Sequence, residues 1–527
     1  MTTKLELEVE IEKCLAKIND QNVEEMIENI ENLIPEFEPE RILSILVRII
    51  PLQSKFIESI DAIFSALIKI PRFASLKSLL LKKALYSNSD NGRFLDNRFY
   101  LVILRKCFLN GLYKIDEILP EIKKIDSQHN GYKAYIGIFF LKEIYENDKE
   151  LFEVIKTARK DPGYIFQAST HNLPSCDELV ENDYKLLNNL LTYGHHEPIV
   201  VSIIKDDVDM FIKLYTLDQN ASKKKFDASI FSSNFLFKDL TMFNIAARNG
   251  SIQIFKYLYV NKAEFDRETF NSAIIGGNLE IIRICIQNNC SGAECVTTAA
   301  VYRPYDILEW LLENYVSEEN RLKELEKAYY EAVRSNCLYS VVYCIQNGVD
   351  VNSKNNNNYS HPLFAAIQYP AIIEYLLSQP DIDANKSNYS GTPFALACAI
   401  GYEETVRIMM KSDKVDITLH ETTNESALGS AIVSGRLNIV KLLLDSGKFD
   451  INEQNYRGET PLYLAVSENR PDVAEYLLSK GANTEIQSNQ EYTAIQLAKL
   501  RNDNAMVELL LKYNAKDLPK PEPRSYV

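Results

Sequence analysis

Apolar and polar positions in the C-terminal three-fifths of the chain recur as one block rather than as independent stretches. A small residue returns at Ala332, Ala366, Ala397, Ala431, Ala465 and Ala498, at spacings of 34, 31, 34, 34 and 33. Two of these alanines close nearly superimposable runs, Gly391-Thr392-Pro393-Phe394-Ala395-Leu396-Ala397 and Gly458-Glu459-Thr460-Pro461-Leu462-Tyr463-Leu464-Ala465. In each run the Thr hydroxyl can cap a helix, and Pro fits the first helical turn, where its missing N–H costs nothing. The alanine marks a place where two helices must approach closely. Paired apolar residues, Leu443/Leu444, Leu477/Leu478 and Leu510/Leu511, predict a second helix facing its neighbour. Gly348, Gly447 and Gly481 follow as helix stops, where a left-handed backbone is cheap for glycine. Asp350-Val351-Asn352, Asp450-Ile451-Asn452 and Ala482-Asn483 then supply turn residues for a projecting hairpin.

A block of this length and content resembles the ankyrin repeat. The pattern continues upstream in worn form. Thr241–Gly250 and Ser251–Leu258 predict another helix pair, and Ala273 and Ala299 hold the alanine position again. Spacings of 27, 26 and 33 from Ala246 to Ala332 leave the shorter units no room for a full hairpin. Pro198–Ser202 and Asp206–Phe211 have the same phase, with Ser202 in the alanine slot, and Asn220–Asp239 reads as an inserted loop. Ten candidate units run from about residue 196 to 516, roughly 60% of the chain. The worn part, through His196-Glu197-Pro198-Ile199, Asp206-Asp207-Val208-Asp209, Ala246–Ser251, Phe255-Lys256-Tyr257-Leu258 and Gly276–Ile281, is similar to one family in particular. It is the large group of ankyrin proteins, expanded in parasitic protists, whose degenerate ankyrin-like segment is a domain of unknown function. The resemblance implies a cytosolic repeat protein with no assigned activity. The chain departs from the ankyrin pattern at the first-helix histidine, replaced by Phe364, Ala395, Gly429, Tyr463 or Gln496. Apolar packing is expected to replace that histidine's hydrogen bonding in several repeats.

Residues 1–190 carry no comparable repeat. Leu5, Val9, Cys14 and Leu15, then Met26, Ile27, Ile30 and Leu33, form helical stripes. Pro35, Pro39, Pro51, Pro71 and Pro120 are expected at boundaries, while Phe99–Leu109 and Tyr132–Ile144 predict further helices. The expectation is about eight to ten helices, continuing into the repeats near Leu186–Thr192 and covering the first repeat's apolar face. The fold class is therefore all-α, a helical N-terminal region followed by an ankyrin-repeat solenoid with short β-hairpin tips. The expected divisions are 1–190, degenerate repeats over 196–326, clear repeats over 327–517, and a Pro-rich tail over 518–527.

Composition narrows the function classes. With 58 Lys+Arg against 73 Asp+Glu the formal charge is −15, which argues against nucleic-acid binding, since phosphate neutralisation needs a basic surface. The start carries acids from Glu6 onward and reads as no signal peptide, and no apolar run reaches the roughly 20 residues of a membrane span, so membrane insertion is not expected. Nine scattered cysteines do not suggest a disulfide framework and point to a reducing, cytoplasmic address.

Catalytic and metal motifs find little support. His195-His196 are adjacent, so they point apart, and Cys285, Cys290 and Cys295 lack zinc-finger companions and read as buried small thiols. Asp161-Pro162-Gly163-Tyr164 is a turn signal, and Gly276-Gly277-Asn278 follows a helix rather than a strand, so neither is a phosphate loop. Asn355–Asn358 reads as a solvated hairpin tip. No catalytic residue, cofactor or metal site is expected.

What remains is surface. Hairpin tips and first helices of such repeats line one concave face suited to an extended partner. Tyr359, Tyr389, Tyr456, Arg457 and Tyr492 lie at or beside tips and are the candidate contacts for a protein partner. The ending Ser525-Tyr526-Val527 also suits strand addition in a PDZ-type groove. The expected function is a non-enzymatic interaction scaffold. The competing expectation is an enzyme or effector whose N-terminal helices are catalytic and whose repeats dock substrate.

Overall fold

The structure, a computed structural model, describes residues 4–16, 28, 37–49, 56–85, 98–125, 130–160, 176–181, 184–185, 197–217, 224–226, 239–290, 294–302, 306–354, 361–388, 391–419, 426–516 and 518–519. The chain forms two compact units, Met1–Ala328 and Tyr329–Val527. The division falls within the helix Glu318–Arg334.

The first unit opens with helices Lys4–Ala16, Pro39–Ile49, Phe56–Leu67, Leu76–Leu85, Arg98–Leu109, Ile115–Lys124, Asn130–Phe139, Leu141–Asn147, Lys149–Lys160 and Cys176–Glu181. Many of these helices pack on the next but one, as Pro39–Ile49 does on Leu76–Leu85 and Arg98–Leu109 does on Asn130–Phe139. Their shared core contains Phe64, Phe73, Phe139 and Phe140. Three details differ from the sequence expectation. In Lys4–Ala16 the buried positions include Glu8, Ile11, Glu12 and Leu15, so two acids lie on the inner face while Cys14 is half-buried. The Arg41 guanidinium donates to Glu8 Oε2 at 2.7 Å, which compensates one of those buried charges. Pro120 lies inside the helix Ile115–Lys124 rather than at a boundary. Burial of Ile118 and Ile122 on one face carries the helix past the single hydrogen bond that proline removes. The apolar run Tyr132–Ile144 is split, because Phe140 leaves the helical conformation at φ −124°, ψ 24°. The second predicted stripe, Met26, Ile27, Ile30 and Leu33, and the junction Leu186–Thr192 lie outside the described residues.

Helix pairs follow: Pro198–Ile204 with Val208–Leu217, Met242–Asn249 with Ile252–Val260, Arg267–Gly276 with Leu279–Gln287, and Cys295–Tyr302 with Ile307–Asn314. First helices pack on first helices and second helices on second, the arrangement of a stacked repeat. Ala246, Ala273 and Ala299 are completely buried, and Ser202 is nearly so. At Gly276 an added Cβ would stand 2.1 Å from the Ala247 carbonyl oxygen, so successive first helices touch backbone to backbone. The join between Val260 and Arg267 is too short for a projecting hairpin, as the 27-residue spacing implies. The insertion after Leu217 is closed by a two-residue antiparallel ladder, Lys225–Phe226 against Leu240–Thr241.

In the second unit the same architecture runs through Leu338–Gln346, Pro362–Ala365 with Pro370–Ser378, Pro393–Ile400 with Glu403–Lys411, Ala427–Val433 with Leu437–Asp445, Pro461–Ser467 with Pro471–Ser479, and Ala494–Leu500 with Asn504–Lys512. The six alanines of the period, from Ala332 to Ala498, have zero exposure. The expected caps form: Thr392 Oγ1 accepts from Ala395 N at 3.1 Å, and Thr460 Oγ1 accepts from Tyr463 N at 3.2 Å. Gly348, Gly447 and Gly481 have φ of +91°, +68° and +86°, the left-handed helix stop. Of the paired leucines, Leu443, Leu477 and Leu510 are fully buried, but Leu511 is 38% exposed, because only the first of each pair points consistently inward.

Candidate functional site

The candidate surface is best described where one projecting turn stacks on the next. The segment Asn455–Glu459 is a tight turn closed by Asn455 N donating to Glu459 O at 3.1 Å and Gly458 N donating to Asn455 O at 2.8 Å. Asn455 Oδ1 also accepts from Arg457 N and Glu459 N at 3.0 and 2.9 Å, an Asx-type lock on the turn. The following turn then clasps this one. Asn489 N donates to Arg457 O at 2.8 Å, and Asn489 Nδ2 donates to Tyr456 O at 2.8 Å. Gln454 Nε2 bridges Gly458 O at 2.7 Å and Gln487 O at 3.0 Å. Gly458 has φ +71°, and a Cβ there would meet Asn489 Oδ1 at 2.5 Å, so only glycine permits this approach.

Tyr456 and Arg457 project from the clasped turn. Tyr456 is 50% exposed, and Arg457 Nε donates to its hydroxyl at 2.7 Å with the guanidinium 5.1 Å from the ring centre. Tyr492 lies on the neighbouring turn, half-buried, its carbonyl accepting from Ser488 N at 3.0 Å. The structure therefore brings Tyr456, Arg457 and Tyr492 onto two adjoining turns. Tyr359, Tyr389 and Asn355–Asn358 lie outside the described residues, as do His195-His196, Asp161–Tyr164 and Ser525-Tyr526-Val527.

Two periodic devices that the sequence reading missed hold the turns and helices in register. Asn352 Oδ1 accepts from Asp383 N at 2.9 Å while its Nδ2 donates to Asp381 O at 2.8 Å. Asn385 repeats the clamp on Asp416 N and Lys414 O at 2.8 and 2.9 Å, and Asn452 Oδ1 accepts from Asn483 N at 2.8 Å. Each asparagine fastens the turn of the following repeat. The second device reaches back to the end of the preceding first helix. Tyr369 Oη donates to Arg334 O at 2.9 Å, Arg436 Nε to Ala399 O at 3.1 Å, and Arg470 Nη2 to Val433 O at 2.9 Å. Arg501 makes the same contact with Ser467 O. These side chains satisfy helix carbonyls that have no partner within their own helix. The 33-residue step from Asn352 to Asn385 and the 34-residue step from Arg436 to Arg470 were the available signals.

At the first-helix histidine slot, Phe364, Ala395, Gly429 and Tyr463 are buried, and Gln496 instead accepts from Thr493 N at 3.1 Å. A histidine occurs three positions earlier, at His361, in the cap slot filled elsewhere by Thr392, Ser426, Thr460 and Thr493. Its Nδ1 accepts from Leu363 N at 3.4 Å and its Nε2 lies 3.0 Å from Asn352 Oδ1, which requires the neutral ring. Burial depresses its pKa to about 4, with Lys354 and Lys386 adding to the depression and Asp383 opposing it.

Gly276-Gly277-Asn278 is a turn between paired helices: Gly277 is left-handed at φ +69°, and Asn278 Oδ1 caps the next helix at Glu280 N and Ile281 N, 3.0 and 3.3 Å away. In the N-terminal helices the Arg105–Glu143 pair, 2.8 Å apart and nearly buried, is held with the guanidinium 5.3 and 5.5 Å from the Phe108 and Phe140 rings, a packing arrangement. Among the described residues no group of three or more His, Cys, Asp or Glu could hold a metal, and no helix is long and apolar enough to cross a membrane.

Comparison with known proteins agrees with this geometry. The family model for ankyrin repeats (3 copies) matches residues 330–421 and 411–488. The model of a domain of unknown function, DUF3447, matches residues 260–342. No curated protein matches the chain. Among solved structures, the ankyrin repeat domain of Bcl-3, described as a unique member of the IkappaB protein family, is 24% identical over 36% of this chain and 86% of its own, with a TM-score of 0.33. The ankyrin repeat protein EF0377 is 28% identical over 36% of this chain and 98% of its own, with a TM-score of 0.33. The human ASB11 ankyrin repeat domain is 24% identical over 36% and 84%, with a TM-score of 0.32. Periodic alanines, capped first helices, clasped turns and the two family models together show that the chain carries ankyrin repeats over residues 330–488 and a domain of unknown function over residues 260–342.

Proposed function

We propose that this chain is a non-enzymatic adaptor that holds a protein partner on the face formed by its hairpin turns and first helices. Ankyrin repeats are a protein–protein interaction module. The observation that supports the finer reading is the preorganised turn at Asn455–Glu459. Its backbone is fixed by Asn455, Gln454 and Asn489, yet it offers an exposed Tyr456 and Arg457, the residue types richest in binding hot spots. A contact already held in place loses little conformational freedom on binding. Tyr492 on the adjoining turn joins the proposed contact set, and Tyr359 and Tyr389 are included in it from their sequence positions alone. The net charge of −15 favours a protein over a nucleic acid as partner, and the proposed setting is the cytoplasm.

Crosslinking the full-length chain in cell extract, followed by pull-down with wild type and the Tyr456→Ala variant, tests the reading. Tyr456→Ala is expected to leave the thermal melt unchanged and to weaken retention of the crosslinked protein by roughly 1–2 kcal/mol, about five- to thirtyfold in Kd. Equal retention by Tyr456→Ala and Arg457→Ala variants that fold normally would remove this turn from the binding surface.

A further inference from the structure

The second helices of several repeats end in the same way. The N–H two residues past the helix cap returns to the carbonyl of the residue five positions earlier, with a left-handed residue between, which brings those two side chains together. The returns are Ala263 to Leu258, Val349 to Cys344, Ala482 to Leu477 and Ala515 to Leu510, each at 3.0–3.1 Å, with Lys262, Gly348, Gly481 and Asn514 left-handed. In these four turns at least one of the touching pair is aliphatic. In the helix Leu279–Gln287 both are cysteines: Cys290 N donates to Cys285 O at 3.0 Å, with Asn289 between them at φ +58°. The two thiols are unbridged and share a hydrogen bond, and Cys290 makes that bond to Cys285 rather than to Cys295. Cys285 is fully buried, whereas Cys290 is partly open to solvent.

We infer that Cys285 and Cys290 are an oxidative modification site, a dithiol that a hydroperoxide converts to a disulfide within the folded repeat. A disulfide needs Cα atoms about 4.4–6.8 Å apart with Cβ atoms facing, and a closed 6→1 turn with its first and last side chains in contact brings the pair together in this way. The chemistry proceeds in two steps. The solvent-reachable Cys290 loses its proton, and the thiolate attacks one peroxide oxygen, breaking the O–O bond to give a Cys290 sulfenic acid and hydroxide. Cys285 sulfur then attacks the Cys290 sulfur, the S–OH bond breaks, and the departing hydroxide takes the Cys285 proton as water. The two thiols together lose two electrons, and the peroxide becomes two waters.

Burial raises both thiol pKa values, which makes the thiolate scarce at neutral pH and the reaction slow there. The hydrogen bond from Cys285 partly offsets this at Cys290, so Cys290 is the attacking residue.

The test uses the full chain, oxidised with hydrogen peroxide, alkylated and mapped by peptide mass spectrometry. The expected result is an intramolecular Cys285–Cys290 bridge, formed at least tenfold faster at pH 9 than at pH 7. It should persist in Cys295→Ser and be absent from Cys290→Ser and Cys285→Leu. Leucine occupies the Cys285 slot at Leu258, Leu477 and Leu510, so Cys285→Leu keeps the turn, and circular dichroism checks that it folds. Phenylarsine oxide, which bridges two adjacent thiols, is expected to protect Cys285 and Cys290 together from alkylation. A sulfinic acid at Cys290 with Cys285 still reduced, a bridge to Cys295, or bridging only between two chains would each overturn the assignment.

Discussion

His361 shows how much one side chain can decide. It occupies a cap slot that elsewhere holds Ser or Thr, and it connects its own helix start to Asn352, which in turn clamps Asp381 and Asp383. The bonding needs neutral imidazole, and the folded pKa of about 4 lies below the ordinary 6.5. Between those values the unfolded chain binds more protons than the folded one, so stability rises with pH across the interval. The contribution is complete above about pH 6.5 and is lost as pH falls towards 4, at most roughly 3 kcal/mol. His361→Thr is expected to flatten that part of a stability-against-pH profile, measured by thermal melts, while retaining the cap. Gly458 is the second decisive residue. Gly458→Ala forces a left-handed Ala, costing about 1–2 kcal/mol, and drives its Cβ into Asn489. Denaturant titration should show that loss, and an unchanged midpoint would mean the two turns are not clasped.

At the scale of the element, each helix pair depends on contacts supplied by its neighbour. Arg470 donates to Val433 O through Nε and Nη2 at 3.2 and 2.9 Å, and Arg436 donates to Ala399 O through Nε at 3.1 Å. Arg470→Ala is expected to cost about 1 kcal/mol, the usual net value of such hydrogen bonds, read from urea unfolding. The exposed cross-repeat ion pairs Lys512–Glu475 and Lys516–Glu485 should matter less, because solvent screens them. Ala465 is completely buried, on a first helix that packs against its own second helix and against both neighbouring first helices. Ala465→Trp should therefore overpack that contact, by roughly 1–3 kcal/mol or more. Faster amide exchange throughout 441–511 is the expected signature, and unchanged exchange there would refute the tight contact.

For the whole molecule, stacking of like on like makes stability close to a sum of repeat and interface terms, so damage should stay local. Hydrogen exchange on Ala465→Trp is expected to show loosened neighbouring repeats while residues 1–190 keep their protection. Much of this architecture was legible because it is periodic: the alanine slot, the Thr-Pro starts and the glycine stops recur and need no knowledge of distant contacts. The worn repeats were legible as well, since shortening the period from 33 to 26–27 residues leaves the helices and removes the projecting turn. The sequence by itself determined helix content, repeat period and the residue types available at the turns, because local capping and apolar spacing act over a few residues. Which partners those residues meet was decided only by the tertiary structure. Stacking put Asn489 against the Tyr456 and Arg457 carbonyls, turned Arg436 and Arg470 back onto the preceding helices, and set Glu8 beside Arg41. It also allowed Pro120 inside a helix and closed Cys285 onto Cys290. Each of these turns on burial and proximity between backbone groups and side chains that local pattern does not specify.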